Sequence, residues 1–174
     1  MRLLRGNTAI TTLVLAAVLG GGMALRLYGL GERGFWLDET YSEVRTRSTL
    51  GETVGEALAY EGSPPLYLAV LWGWRRVVGT GEWQFRLLSA VLDGLTVLAV
   101  FALARQALGG KVSLLVSGMY ACSSFAVFYA QEARQYALFA LLAALSSYFF
   151  YRIAVSEKGT CFYHYIFYVL ATAG

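Results

Sequence analysis

The chain has 174 residues, 57% of them hydrophobic and only 14% charged, and its mean hydropathy is +0.55. So few polar groups could not cover the apolar surface of a soluble domain, which excludes that class and points to a protein solvated by lipid. A net charge of +3, dispersed over many loops, leaves no basic face for nucleic acid.

The amino-terminal stretch "MRLLRGNTAITTLVLAAVLGGGMALRLYGL" places two arginines before an apolar run at residues 8–25. As helix, that run is about 27 Å long, close to the roughly 30 Å of a bilayer's hydrocarbon core. Because further spans follow, it reads as a retained anchor and not as a cleaved signal peptide. Four more apolar runs begin at Pro64, Arg86, Val112 and Tyr136, and another opens at Cys161. Cys122 and Cys161 lie in these runs at unrelated positions and read as buried spectator thiols. No repeat at a fixed period and no low-complexity tract is present.

The run at residues 64–78, "PPLYLAVLWGWRRVV", is the odd one. It is about 22 Å long as helix, too short to span, and it carries Trp72, Trp74, Arg75 and Arg76. Aromatic and basic residues of this kind belong at headgroup level, so the helix is expected to lie in the interface. The charges then sort by side. Arg2, Arg5, Arg105, Lys111, Arg152 and Lys158 fall inside, with Glu157 alone against them, while Glu32, Asp38, Glu39, Glu43, Glu52, Glu56, Glu61 and Glu82 fall outside. This satisfies the positive-inside rule, with a cytoplasmic amino terminus. All four tryptophans lie in the external segment 31–85, which is too aromatic for a disordered loop and is expected to form short helices on the outer leaflet.

Polar groups from distant parts of the chain converge on that outer side. Asp38 and Glu39 follow the first span, Glu61 precedes the interfacial helix, Arg86 opens the second true span, and "YAQEARQYAL" brings Glu132, Arg134 and Tyr136 between the next two. A carboxylate can act as base toward a hydroxyl, and arginines can hold a phosphate through charge-assisted hydrogen bonds. Such a set at the edge of the acyl region suits a substrate with an apolar tail and a phosphate head.

Four segments, "WLDET", "EGSPPLYL", "GTGEWQFRLLSAVL" and "YAQEARQYALFALLAAL", resemble in order and spacing the motifs of the GT-C membrane glycosyltransferases. The branch resembled is the one containing protein O-mannosyltransferases and the lipid A aminoarabinose transferase, and the likeness runs from about Arg26 to the end. It implies an inverting transfer from a polyprenyl-phosphate sugar to a hydroxyl on a lipid, glycan or protein acceptor, in a bacterial or archaeal cell membrane. It also implies that Asp38 is the base and Glu39 its acidic catalytic neighbour, with Glu61, Arg86, Glu132, Arg134 and Tyr136 around the substrate. The pattern departs from the family at the proline turn. Relatives have His where this chain has Ser63, or an acidic-basic pair where it has Glu61 and Gly62. A divalent metal ion is the one cofactor left open.

Several of these residues have plainer readings. Asp38 could cap a helix "ETYSEVRTR". Glu43, Glu52 and Glu56 read as a solvated helix face, Arg75 and Arg76 as snorkelling anchors, and Arg134 as a partner for Glu132 or Glu39. Asp93, an acid inside a span, lies two turns after Arg86 and either contacts it through water or faces a lipid-phosphate cavity. His164 reads as a bystander.

The sequence thus describes an all-α polytopic membrane protein with about five transmembrane helices plus interfacial helices. It is read as the amino-terminal part of a GT-C transmembrane domain, residues 1–174, inactive without later helices. The competing reading is a non-catalytic membrane protein, a transporter fragment or a transferase remnant. Transporters place ionisable groups near the bilayer midplane, whereas here they gather at one interface.

Overall fold

The computed structural model describes residues 8–59, 65–155 and 162–173, which form helices joined by turns, with no strand among them. In chain order the helices are α1 (Thr8–Leu27), α2 (Leu37–Arg45), α3 (Leu50–Ala59), α4 (Pro65–Val78), α5 (Glu82–Leu108), α6 (Gly110–Ala121), α7 (Ser124–Ala130), α8 (Tyr136–Val155) and α9 (Phe162–Ala173). Arg2, Arg5, Glu61, Ser63, Glu157, Lys158 and Cys161 lie outside the described residues.

Among the described residues three helices are long and apolar enough to cross a membrane: α1 over Ala9–Leu27, α5 over Glu82–Leu108 and α8 over Tyr136–Val155. The expected span from Val112 is not one rod. It is the pair α6 and α7, bent by 57° at Cys122 and Ser123, which together reach a spanning length. Ser123 causes the restart by accepting from the Ala126 amide at 3.4 Å as an N-cap. Cys122, expected to be buried, is exposed at this break. The last helix, α9, has 12 described residues, short of a full span.

α5 is the central post. It packs against α1, α6, α7 and α8, with α9 outside α8. Its 27 residues are rich in Leu and Ala, strong helix formers. Two glycines let neighbours approach. A Cβ on Gly94 would lie 2.6 Å from the Met23 sulfur of α1, and one on Gly22 would lie 3.1 Å from the Ala121 Cβ of α6.

The segment between α1 and α5 forms the expected short helices at one end of the bundle. α3 starts with a capping box in which the Thr49 amide donates to Glu52 at 2.9 Å and the Glu52 amide to the Thr49 hydroxyl at 3.3 Å. The Thr49 amide, and then the Thr49 hydroxyl, which donates to the same oxygen at 2.9 Å, hold the Glu52 carboxyl below its ordinary value. α4 is 14 residues long, short of a span, and reverses into α5 through Gly79, whose φ of 120° favours glycine. α3, α4, α5 and α8 meet in a core of Ala57, Tyr67, Leu68, Leu71, Phe85, Leu88 and Leu138.

Some charged residues sit differently from the sequence reading. Glu43 is buried, because Arg75 turns inward from α4 and donates to its carbonyl at 3.1 Å and its carboxylate at 3.3 Å. Arg75 is therefore a tie between α4 and α2, not a snorkelling anchor. Glu52 and Glu56 do lie on an exposed face. Arg76 is exposed, with its guanidinium 3.3 Å from the Trp72 ring centroid.

Candidate active site

The residues singled out at α2, at the start of α5 and in the turn between α7 and α8 come together at one end of the bundle. Glu39 is fully buried at their centre. Its Oε1 accepts from Arg86 Nε at 2.9 Å and from the Ala133 amide at 2.8 Å. Its Oε2 accepts from Arg86 Nη2 at 2.6 Å and from the Trp36 amide at 3.4 Å, which caps α2. One carboxylate thus joins α2, α5 and the α7–α8 turn. Asp38 is not the cap; it lies in the first turn of α2, one residue ahead of the acid that is.

Arg86 was expected to hold phosphate, but its guanidinium is turned inward and all five N–H groups have protein acceptors. Beyond the two bonds to Glu39, Nη1 donates to the carbonyls of Leu30 at 3.1 Å and Arg33 at 2.6 Å, and Nη2 to that of Gly34 at 3.0 Å. Arg86 therefore orders the segment after α1 and orients Glu39.

Asp38 pairs with Arg134 across the same junction, its Oδ2 lying 2.5 Å from Nη1. The Asp38 side chain is 36% exposed and that of Arg134 16%. Neither Glu132 nor Glu39 is the partner of Arg134. Its guanidinium lies 5.6 Å from the Tyr136 ring centroid, and its buried Nε has no acceptor among the described residues. Tyr136 in turn packs edge-on against Tyr129 at 4.6 Å, so it supports the arginine from below.

Glu132 stands on the wall of a cleft of about 590 Å³ between the segment after α1 and the turn after α7. Among the described residues no donor bonds its carboxylate. Desolvation, then the nearby charge of Glu39, pushes its pKa above the ordinary carboxylate value, and Arg134 opposes that shift only in part. Asp38 and Arg134 do not line this cleft.

Two contributors escaped the sequence reading. Gln131 donates from Nε2 to the carbonyls of Leu25, Arg26 and Tyr28 at 2.9–3.3 Å, closing the end of α1. Arg26, fully buried, is the partner of Asp93. Its Nε donates to Oδ2 at 2.6 Å, and its Nη1 donates to the Gly22 carbonyl at 2.8 Å and the Ala121 carbonyl at 2.9 Å. Tyr120 donates to the other Asp93 oxygen at 2.6 Å. The bonded partners of Asp93 are thus Arg26 and Tyr120, not Arg86. A signal existed: two opposite charges inside apolar runs must find one another.

No three His, Cys, Asp or Glu side chains among the described residues stand together as a metal-ligand set. Glu61 and Ser63, at the proline turn, lie outside those residues.

Residues 62–174, well over half the chain, match the family described as dolichyl-phosphate-mannose-protein mannosyltransferase. The chain belongs to this family. It is thus a membrane glycosyltransferase of the GT-C type. Arg86, Glu132, Arg134 and Tyr136 fall within the part of this mannosyltransferase-family chain that matches, and Asp38 and Glu39 precede it. The Glu39–Arg86 and Asp38–Arg134 pairs therefore join the unmatched segment to the matched one. No curated protein and no solved structure matches the chain.

Proposed function

We propose that the protein transfers a sugar from a polyprenyl-phosphate donor to a hydroxyl acceptor at the extracytoplasmic edge of the membrane, with Asp38 as the base. The observation that supports this most is the two-arginine clamp. Arg86 fixes Glu39, Glu39 fixes the start of α2, and Asp38 is thereby held at the end of the bundle with one oxygen unbonded. The location is supported by charge. Arg105, Lys111 and Arg152 lie near the opposite ends of α5, α6 and α8 from the acids.

The chemistry follows from these positions. The free oxygen of Asp38 takes the proton of the acceptor hydroxyl as its oxygen attacks the anomeric carbon. The bond from that carbon to the phosphate oxygen breaks, and the lipid phosphate leaves with the electron pair. Attack from the side opposite the phosphate inverts the anomeric centre. Arg134 holds Asp38 by one oxygen and leaves the other to face the acceptor. Glu39 and Arg86 act at one remove, as positioning residues.

The test is Asp38→Asn introduced at the chromosomal locus, so that the whole natural product carries it, with transfer from a radiolabelled polyprenyl-phosphate mannose followed in membranes. Loss of transfer with normal protein abundance is expected; near-normal turnover would overturn the assignment.

A further inference from the structure

Asp38, Glu39 and Glu132 meet Arg86 and Arg134 at this junction, Glu32 and Arg33 stand exposed on the same cleft wall, and Glu132 is the half-buried carboxylate left without a donor. Both oxygens of Glu39 are bonded and one of Asp38 is paired, whereas no donor among the described residues reaches Glu132. An unbonded carboxylate on the wall of a cleft offers up to four acceptor positions to whatever enters. The cleft volume, about 590 Å³, falls within the roughly 300–1,000 Å³ of small-molecule sites. Its walls include Tyr28, Trp36 and Phe128, each large and exposed. Exposed aromatics at a membrane edge are ordinary anchors on their own. Here they stand around a cleft that also presents a carboxylate, and that combination matches a ligand with apolar ring faces and a rim of hydroxyl donors.

We propose that this cleft binds a sugar ring, with Glu132 accepting its hydroxyl hydrogens and the aromatic side chains covering its faces. The proposal rests on the transferase reading and extends it with a binding residue distinct from Asp38. Arg33, also on the lining, decides between two sources of the sugar. Its exposed guanidinium suits a phosphate attached to the ring, as the donor would have, and has no such role toward a neutral acceptor sugar.

The experiment is saturation-transfer NMR on the protein in lipid nanodiscs, with methyl α-D-mannopyranoside and α-D-mannose 1-phosphate as probes. Binding is expected, weakened about tenfold or more by Glu132→Ala, as for loss of a hydrogen bond to a charged group. Glu132→Gln keeps the shape and is expected to remove the rise in affinity with pH that ionisation of the carboxyl produces in the wild type. Near-ultraviolet circular dichroism of each variant shows whether it is folded. Tighter binding of the phosphorylated probe, lost in Arg33→Gln, identifies the donor sugar; equal binding with Arg33→Gln silent identifies the acceptor sugar. Absence of saturation transfer from both probes overturns the proposal, and so does equal, pH-independent binding in the wild type and both folded Glu132 variants. Transfer lost in Asp38→Asn while Glu132 variants bind normally would sink this inference and leave the transferase reading intact. Sugar binding that depends on Glu132, with transfer unaffected by Asp38→Asn, would do the reverse.

Discussion

Glu39 and Arg86 lie 47 residues apart and meet in a two-point ion pair whose side chains are 1% and 6% exposed. Removing one partner of such a pair leaves the other charge buried without compensation, at a cost of about 3–5 kcal/mol. Arg86→Lys also fails geometrically, because an ammonium cannot reproduce a fork that bonds Glu39 and three carbonyls together. Both Arg86→Lys and Glu39→Gln are expected to lower the thermal midpoint in nanodiscs sharply. Glu39→Leu/Arg86→Leu should lose less than the sum of its single changes. Additive losses would show that the two residues act separately.

The Asp38–Arg134 pair is built for a different purpose. Its acid is partly exposed, so water screens the attraction and the pair should contribute about 0–1 kcal/mol to stability. Asp38→Asn is therefore expected to leave the thermal midpoint nearly unchanged while transfer falls by about 10²- to 10⁴-fold, the usual contribution of a general base. A large fall in stability with a proportional loss of activity would recast Asp38 as a structural residue.

Arg26, Asp93 and Tyr120 join α1, α5 and α6 inside the bundle, and Arg26 also bonds the Ala121 carbonyl beside the bend before α7. In lipid no water can take over these bonds. Arg26→Met and Asp93→Leu are each expected to destabilise strongly, and the double variant to recover much of the loss. Tyr120→Phe removes one bond from a carboxylate that keeps its cation, and should cost about 1–2 kcal/mol. Heat-induced aggregation read by size-exclusion chromatography measures all four.

Hydropathy made the helical architecture legible because lipid imposes a length on each span. The short α4 was distinguishable from a span by its 14 residues and its tryptophans. The bend at Cys122 was not legible: a single Ser123 side chain capping the next turn leaves hydropathy unchanged. Composition and motif order marked Asp38, Glu39, Arg86 and Arg134 as a group, but not who pairs with whom. Asp38 and Glu39 are adjacent, and their opposite roles follow from the direction each side chain leaves α2, which one residue of helix rotation decides. Arg75 and Glu43 escaped for a similar reason, since a basic residue at the end of an interfacial helix reads as an anchor until a buried acid is placed beside it.

Glu132 gives a pH signature of the opposite sign to an ion-paired acid. Burial and the charge of Glu39 raise its pKa in the folded protein, so between the ordinary carboxylate value and that raised value the native state holds more proton than the unfolded chain. Stability then falls as pH rises through that window, because protons stabilise the state that binds them more tightly. Above that window the ionised Glu132 is a net burden on the fold. Glu132→Gln removes that charge and is expected to raise the thermal midpoint at neutral pH. The advantage should fade as the buffer is acidified below the ordinary carboxylate value, where the wild-type side chain is itself neutral. Thermal scans of both proteins across that range measure the difference. If Glu132→Gln is instead less stable at neutral pH, the carboxylate has a stabilising partner, and the cleft is not presenting it to a ligand.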